Sequence, residues 1–62
     1  MHKVIGTYRL THDNGTEDTF QEVVSDNTTA VKVYFPKGGT FGYGSSLVAA
    51  IEDAYAEAYS GL

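Results

Sequence analysis

Lys37-Gly38-Gly39-Thr40-Phe41-Gly42-Tyr43-Gly44-Ser45-Ser46 holds four of the seven glycines in the chain. Residues before it read as strand and residues after it read as helix, so its own state decides the fold. Glycine at this density, with no Cβ to restrict φ, predicts a connecting loop. Phe41 and Tyr43 then ride on a mobile segment. They either fold back over the core or stand out as aromatic anchors, the residue type that dominates interface energetics.

Upstream, Lys3 to Thr11 alternates and is rich in β-branched and aromatic side chains, which predicts a strand. Asp13-Asn14-Gly15 is a hairpin signal, and Thr16 to Val24 reads as the return strand. A two-residue turn at Asn14-Gly15 would send Phe20 to the face opposite Tyr8 and Leu10. A three-residue loop instead pairs Tyr8 with Phe20 and Val4 with Val24. It gathers Val4, Gly6, Tyr8, Leu10, Phe20 and Val24 on one face. A one-residue slip inverts every side chain, so burial selects the three-residue loop, with Gly15 in the left-handed conformation. Glu22 is the exception on this face, falling between Gly6 and Val33 and reaching water past an edge.

Ser25-Asp26-Asn27-Thr28 reads as a second turn, and Thr29 to Phe35 as a third strand. Pairing Val24 with Val31 aligns Phe20 with Phe35 and places Val31, Val33 and Phe35 on the same apolar face. Pro36 has no N–H to donate and ends the ladder.

Downstream, Ser46 to Tyr59 has helical spacing, with Leu47, Val48, Ile51, Ala54, Tyr55 and Ala58 on one stripe and Glu52, Asp53 and Glu57 opposite. Ser45 or Ser46 suits the N-cap and Gly61 suits the position after the C-cap. The expected architecture is α+β: a three-stranded antiparallel meander with one C-terminal helix on one face, a single domain over residues 1–62.

Composition narrows the functional classes. A chain of 62 residues without cysteine has no disulfide or thiolate metal site to support a small core. Chains this short bury only about 60% of their unfolded surface, so a symmetric partner is a natural support and a homodimer an expectation. Eight acidic against four basic residues give a net charge of −4, which opposes ordinary phosphate-backbone binding. No apolar run approaches a membrane span, and Met1-His2-Lys3 does not open a signal peptide. The expectation is a soluble, cytoplasmic protein with no membrane association.

Strand direction decides which loops meet. His12, Asp13, Phe41, Tyr43, Ser45 and Ser46 are expected at one end of the sheet. A nucleophilic Ser45 with His12 as base and Asp13 or Asp18 as orienting acid would be the catalytic reading. A domain this small offers little pocket to exclude water, so no enzyme is expected. His2 and His12 are ten strand residues apart, roughly 33 Å, too far to share a metal ion. Glycines running into a helix N-terminus suggest phosphate binding, but Lys37 precedes them and no parallel βαβ unit surrounds them, so no cofactor is expected.

Two surfaces remain. The first is the loop, with Phe41 and Tyr43 flanked by Lys37 and His12. The second is the sheet face away from the helix, with Arg9, Lys32 and Tyr34. The run Gly39-Thr40-Phe41 ahead of an alanine-rich helix carrying Ala54-Tyr55-Ala56-Glu57 gives a layout that resembles plant AP2-type domains. The architecture alone is similar to phage-integrase arm-binding domains. That resemblance implies DNA contact by basic and aromatic sheet residues. The leading expectation is a small non-enzymatic protein that binds a protein partner, in the style of a bacterial or phage accessory factor or inhibitor. Nucleic-acid binding through Arg9, Lys32 and Tyr34 is the alternative.

Overall fold

The structure, a computed structural model, describes residues 3–24 and 29–60. The expected turn at 25–28 and the glycine expected after the C-cap lie outside the described residues. The elements run β1 (Lys3–Thr11), β2 (Glu17–Val24), β3 (Val31–Phe35), β4 (Thr40–Gly44) and α1 (Leu47–Tyr59). The sheet is antiparallel with strand order β1-β2-β3-β4, and α1 packs mainly on β3 and β4. The α+β class stands, but the meander has four strands rather than three. No described helix is long and apolar enough to cross a membrane.

The fourth strand is the glycine stretch itself. Gly39 N–H donates to Phe35 O across 2.8 Å, closing a turn over Pro36–Gly39 and returning the chain along β3. Val31 pairs with Gly44, Lys32 with Tyr43, Val33 with Gly42, Tyr34 with Phe41 and Phe35 with Thr40. Thr40-Phe41-Gly42-Tyr43-Gly44 thus has strand alternation in which glycine takes the place of an inward-facing apolar residue. A Cβ on Gly42 would lie 2.1 Å from Ala50 O and 2.3 Å from Ala54 N. The helix backbone occupies the space a side chain would need. Ala50 and Ala54 are the only fully buried helix residues among those described, and small faces small across this contact.

The first hairpin follows the expected register through most of its length. Gly15 has φ 88°, and its N–H donates to His12 O while His12 N–H donates to Thr16 O, the three-residue loop with a bulge. Tyr8 pairs with Phe20 and Gly6 with Glu22, but an irregularity between Val4 and Gly6 then shifts the register. Val4 consequently pairs with Val23 rather than Val24 and joins the face away from the helix. Across β2 and β3, Gln21 pairs with Tyr34, Glu22 with Val33 and Val23 with Lys32, the expected alignment of Phe20 with Phe35. β3 begins at Val31, two residues later than the alternation suggests.

Phe20, Val33, Phe35, Ala50 and Ala54 form the buried core, with Val31, Leu47, Ile51, Tyr55 and Ala58 packed around it. The Phe20 and Phe35 rings stack at 4.8 Å between centroids, and Tyr55 meets both edge-on at 5.1 and 5.2 Å. Ser46 caps the helix, its side chain accepting from Ala49 N–H. Val48, assigned to the inward stripe by its spacing, is 66% exposed. The inward position in the first turns belongs to Ala50 instead.

The close approach sets the first prediction. Gly42→Ala forces the helix backbone off the sheet, and overpacking of this kind costs on the order of 3 kcal/mol. Urea denaturation should show this loss, whereas Val48→Ala on the exposed side should stay within about 0.5 kcal/mol of the original chain.

Candidate functional site: the open face of the sheet

The residues expected to share one loop separate into two groups on opposite faces of the sheet. Phe41 and Tyr43 occupy alternate positions of β4 and point away from the helix, while His12 and Lys37 lie at one end, on the helix side. Ser45 and Ser46 are at the other end, because β4 runs from Thr40 beside Phe35 to Gly44 beside Val31. Ser45 and His12 therefore do not meet, and the serine, histidine and acid arrangement does not form.

His12 belongs to a polar clamp that closes one end of the core. Asp18 faces inward from β2 and is 6% exposed. Its Oδ2 accepts from the Tyr55 hydroxyl and lies 2.8 Å from His12 Nε2, which is also 3.0 Å from the Tyr55 hydroxyl oxygen. With the carboxylate accepting, the His12 proton is assigned to Nε2. Lys37 Nζ reaches Asp18 Oδ1 at 3.4 Å, but its side chain is 70% exposed and the pair adds little. The Tyr55 hydroxyl, then His12, lower the Asp18 pKa from 3.8 to about 2, against an opposing effect of burial. Burial first, and the Asp18 carboxylate second, raise that of Tyr55. The cluster ties the first hairpin to the helix, and its acceptor is already filled by the chain's own donors.

A smaller contact explains the inward glutamate. Tyr8 donates its hydroxyl to Glu22 Oε1 across 3.1 Å, and that carboxylate raises the Tyr8 pKa. Glu22 is half-buried between Gly6 and Val33, the position its register predicts.

The open face is organised in rows across the strands. Val4, Val23, Lys32 and Tyr43 form one row, and Thr7, Gln21, Tyr34 and Phe41 the next. Lys32 is 6% exposed, with its ammonium 4.5 Å from the centre of the Phe41 ring and 5.2 Å from that of Tyr43. A cation held this way gains about 0.5–2 kcal/mol from the ring quadrupoles. The Tyr34 and Phe41 rings lie 4.8 Å apart at 40°. These contacts orient the aromatic side chains without hiding them: Phe41 keeps 37% and Tyr43 46% of its surface. Arg9 stands apart over β1, paired with Thr19 and exposed. No concave pocket and no group of three metal-ligating side chains is present among the described residues.

The pairing of Asp18 with Tyr55 lies outside the sequence reading, although the register carries the signal. Asp18 shares an inward face with Phe20, an acid there needs donors, and Tyr55 lies on the helical stripe that covers Phe20. The Lys32 cluster depends on β4 and cannot be read from a glycine stretch taken as a loop. Compared with known proteins, the chain matches no family model, no curated protein and no solved structure.

The clamp has a pH signature. Because Asp18 has a lower pKa folded than unfolded, its ionisation stabilises the fold above about pH 4, and this contribution fades as pH falls towards 2. Tyr55→Phe removes the strongest donor and keeps the ring. Carboxyl carbon NMR should show the Asp18 titration moving up towards 3.8, and urea midpoints should fall at pH 7. The difference from the original chain should shrink as pH falls from about 4 to about 2.

Proposed function

We propose that the chain is a small non-enzymatic binding module that docks a protein partner on the open face of its sheet. Phe41, Tyr43 and Tyr34 form the contact centre. The observation that supports this most is the arrangement around Lys32: the buried cation holds Phe41 and Tyr43, the half-buried Tyr34 packs on Phe41, and Phe41 and Tyr43 still keep exposed surface. Rigid exposed aromatics lose little entropy on binding and are the usual energetic centre of protein interfaces. The surface is flat, which suits a macromolecule better than a small ligand. Its small size and acidic balance fit an accessory or inhibitory factor, of bacterial or phage type, working in a cytoplasm. His12 and Lys37, grouped with the aromatics by the sequence, are engaged with Asp18 and stay outside this surface.

The nucleic-acid alternative rests on Arg9, Lys32 and Tyr34. It has less support, since Lys32 is buried beneath Phe41 and Tyr43 and the net charge is −4. Phosphate contacts require exposed cations in number.

Capture from a lysate of the source cell separates the two. The original chain should retain a protein that Phe41→Ala/Tyr43→Ala recovers at least about tenfold less well, given about 1–2 kcal/mol for each aromatic anchor. Unchanged circular dichroism of the double variant would attribute the loss to the surface. Equal recovery by both chains removes the open face from the proposal, and retention of the original chain on DNA or RNA at low salt would favour the alternative.

A further inference from the structure

The two edges of the sheet are treated differently. At β4, the outward N–H of Tyr43 is taken by Asp53 Oδ2 at 3.0 Å, and the Thr40 hydroxyl donates to Ala54 O at 2.9 Å, so the helix closes that edge. At β1 nothing comparable occurs among the described residues. His12 turns its N–H and carbonyl towards β2, so alternation directs those of Leu10, Tyr8 and Gly6 the same way. Those of Thr11, Arg9 and Thr7 point outward. β1 is nine residues long, and every one of its residues except the half-buried Gly6 is exposed. It carries no proline, and its single irregularity lies at the N-terminal end, between Val4 and Gly6. Edge strands in natural proteins are normally blunted by such features.

β1 also carries exposed apolar side chains, Tyr8 and Leu10 on the helix side and Val4 on the open face. Val4, Ile5, Tyr8 and Leu10 are 50, 53, 39 and 41% exposed. We propose that two copies of this chain pair through β1, antiparallel across a two-fold axis at Tyr8, and so join their sheets into one continuous sheet. This inference stands independently of the docking surface proposed above, because the axis lies at the edge opposite Phe41 and Tyr43.

The strand is complementary to itself in this register. Tyr8 meets Tyr8 of the second copy, Thr7 lies opposite Arg9, and Leu10 lies opposite Gly6, where it packs against the Tyr8 ring that covers that glycine. The irregular segment falls outside the paired centre. An axis at Arg9 would instead bring two guanidinium groups face to face, which is unfavourable for directly opposed cross-strand residues. Thr7 and Arg9 of the two copies exchange about four N–H···O bonds. The two helices lie on the same side of the joined sheet, and the uncovered Tyr8 and Leu10 side chains of both copies form a continuous strip between them. A self-complementary edge favours a second copy over an extended segment of another protein.

Sedimentation velocity across about a hundredfold range of concentration should show a monomer–dimer equilibrium. Thr7→Pro removes an outward N–H that makes no bond among the described residues, and it should weaken the dimer at least about tenfold. Phe41→Ala/Tyr43→Ala should leave the dimer unchanged. Because the chain contains no cysteine, Tyr8→Cys provides a second measurement that does not depend on a proline variant folding. Under mild oxidation it should give a disulfide-linked dimer, whereas Val48→Cys on the exposed helix should not. A chain that stays monomeric throughout, a dimer abolished only by the β4 variant, or no cross-link at Tyr8→Cys would each overturn the proposal.

Discussion

The helix lies so close to β4 that no side chain fits between them, and most of the architecture depends on that one approach. Gly42 and Gly44 remove side chains from the sheet, Ala50 keeps its own small, and the backbones come together. Thr40 and Asp53 then bond across the seam with Ala54 O and Tyr43 N–H. A helix seated this firmly over the last two strands cannot also cover the first. The bulky core residues, Phe20 and Phe35 with Tyr55, fill the wedge that opens towards β2, and the Asp18 clamp seals it at the His12 end. β1 is left outside the helix's reach.

The first hairpin, the third strand and the helix are legible in the sequence because each depends on local patterns that agree with one another. Phe20 has to share a face with Tyr8, which selects a single turn, and Val31 and Val33 have to continue that face. β4 is not legible for a specific reason. Glycine weakens a strand when judged by propensity, and Gly42 and Gly44 remove the inward apolar residues that normally mark one. The remaining signal is the outward alternation of Phe41 and Tyr43 after a turn closed by Pro36–Gly39. That pattern becomes informative once the alanines of the helix are seen as its counterpart. The displacement of Val4 to the open face has no such signal, since neither Ile5 nor Gly6 alone specifies an irregularity.

The candidate site is legible as residues but not as a grouping. Phe41, Tyr43, Lys32 and Tyr34 all stand out in the sequence, yet on two different surfaces that β4 merges into one. Conversely, His12 and Lys37 are expected beside the aromatics and belong to a clamp on the other side. Both errors have one origin. A loop lets neighbours in sequence share a surface, whereas a strand sends alternate residues to opposite faces.

That alternation divides the work of β4 between its odd and even positions. Thr40, Gly42 and Gly44 face the helix and are constrained by backbone atoms that cannot move without loss of the fold. Phe41 and Tyr43 face outward, and the buried core does not rest on their identity. The chain can therefore exchange what it presents at these two positions while keeping how it folds. In a protein of this size, with so little core in reserve, such a separation confines the cost of a change at either position to the packing of Lys32 beneath the two rings.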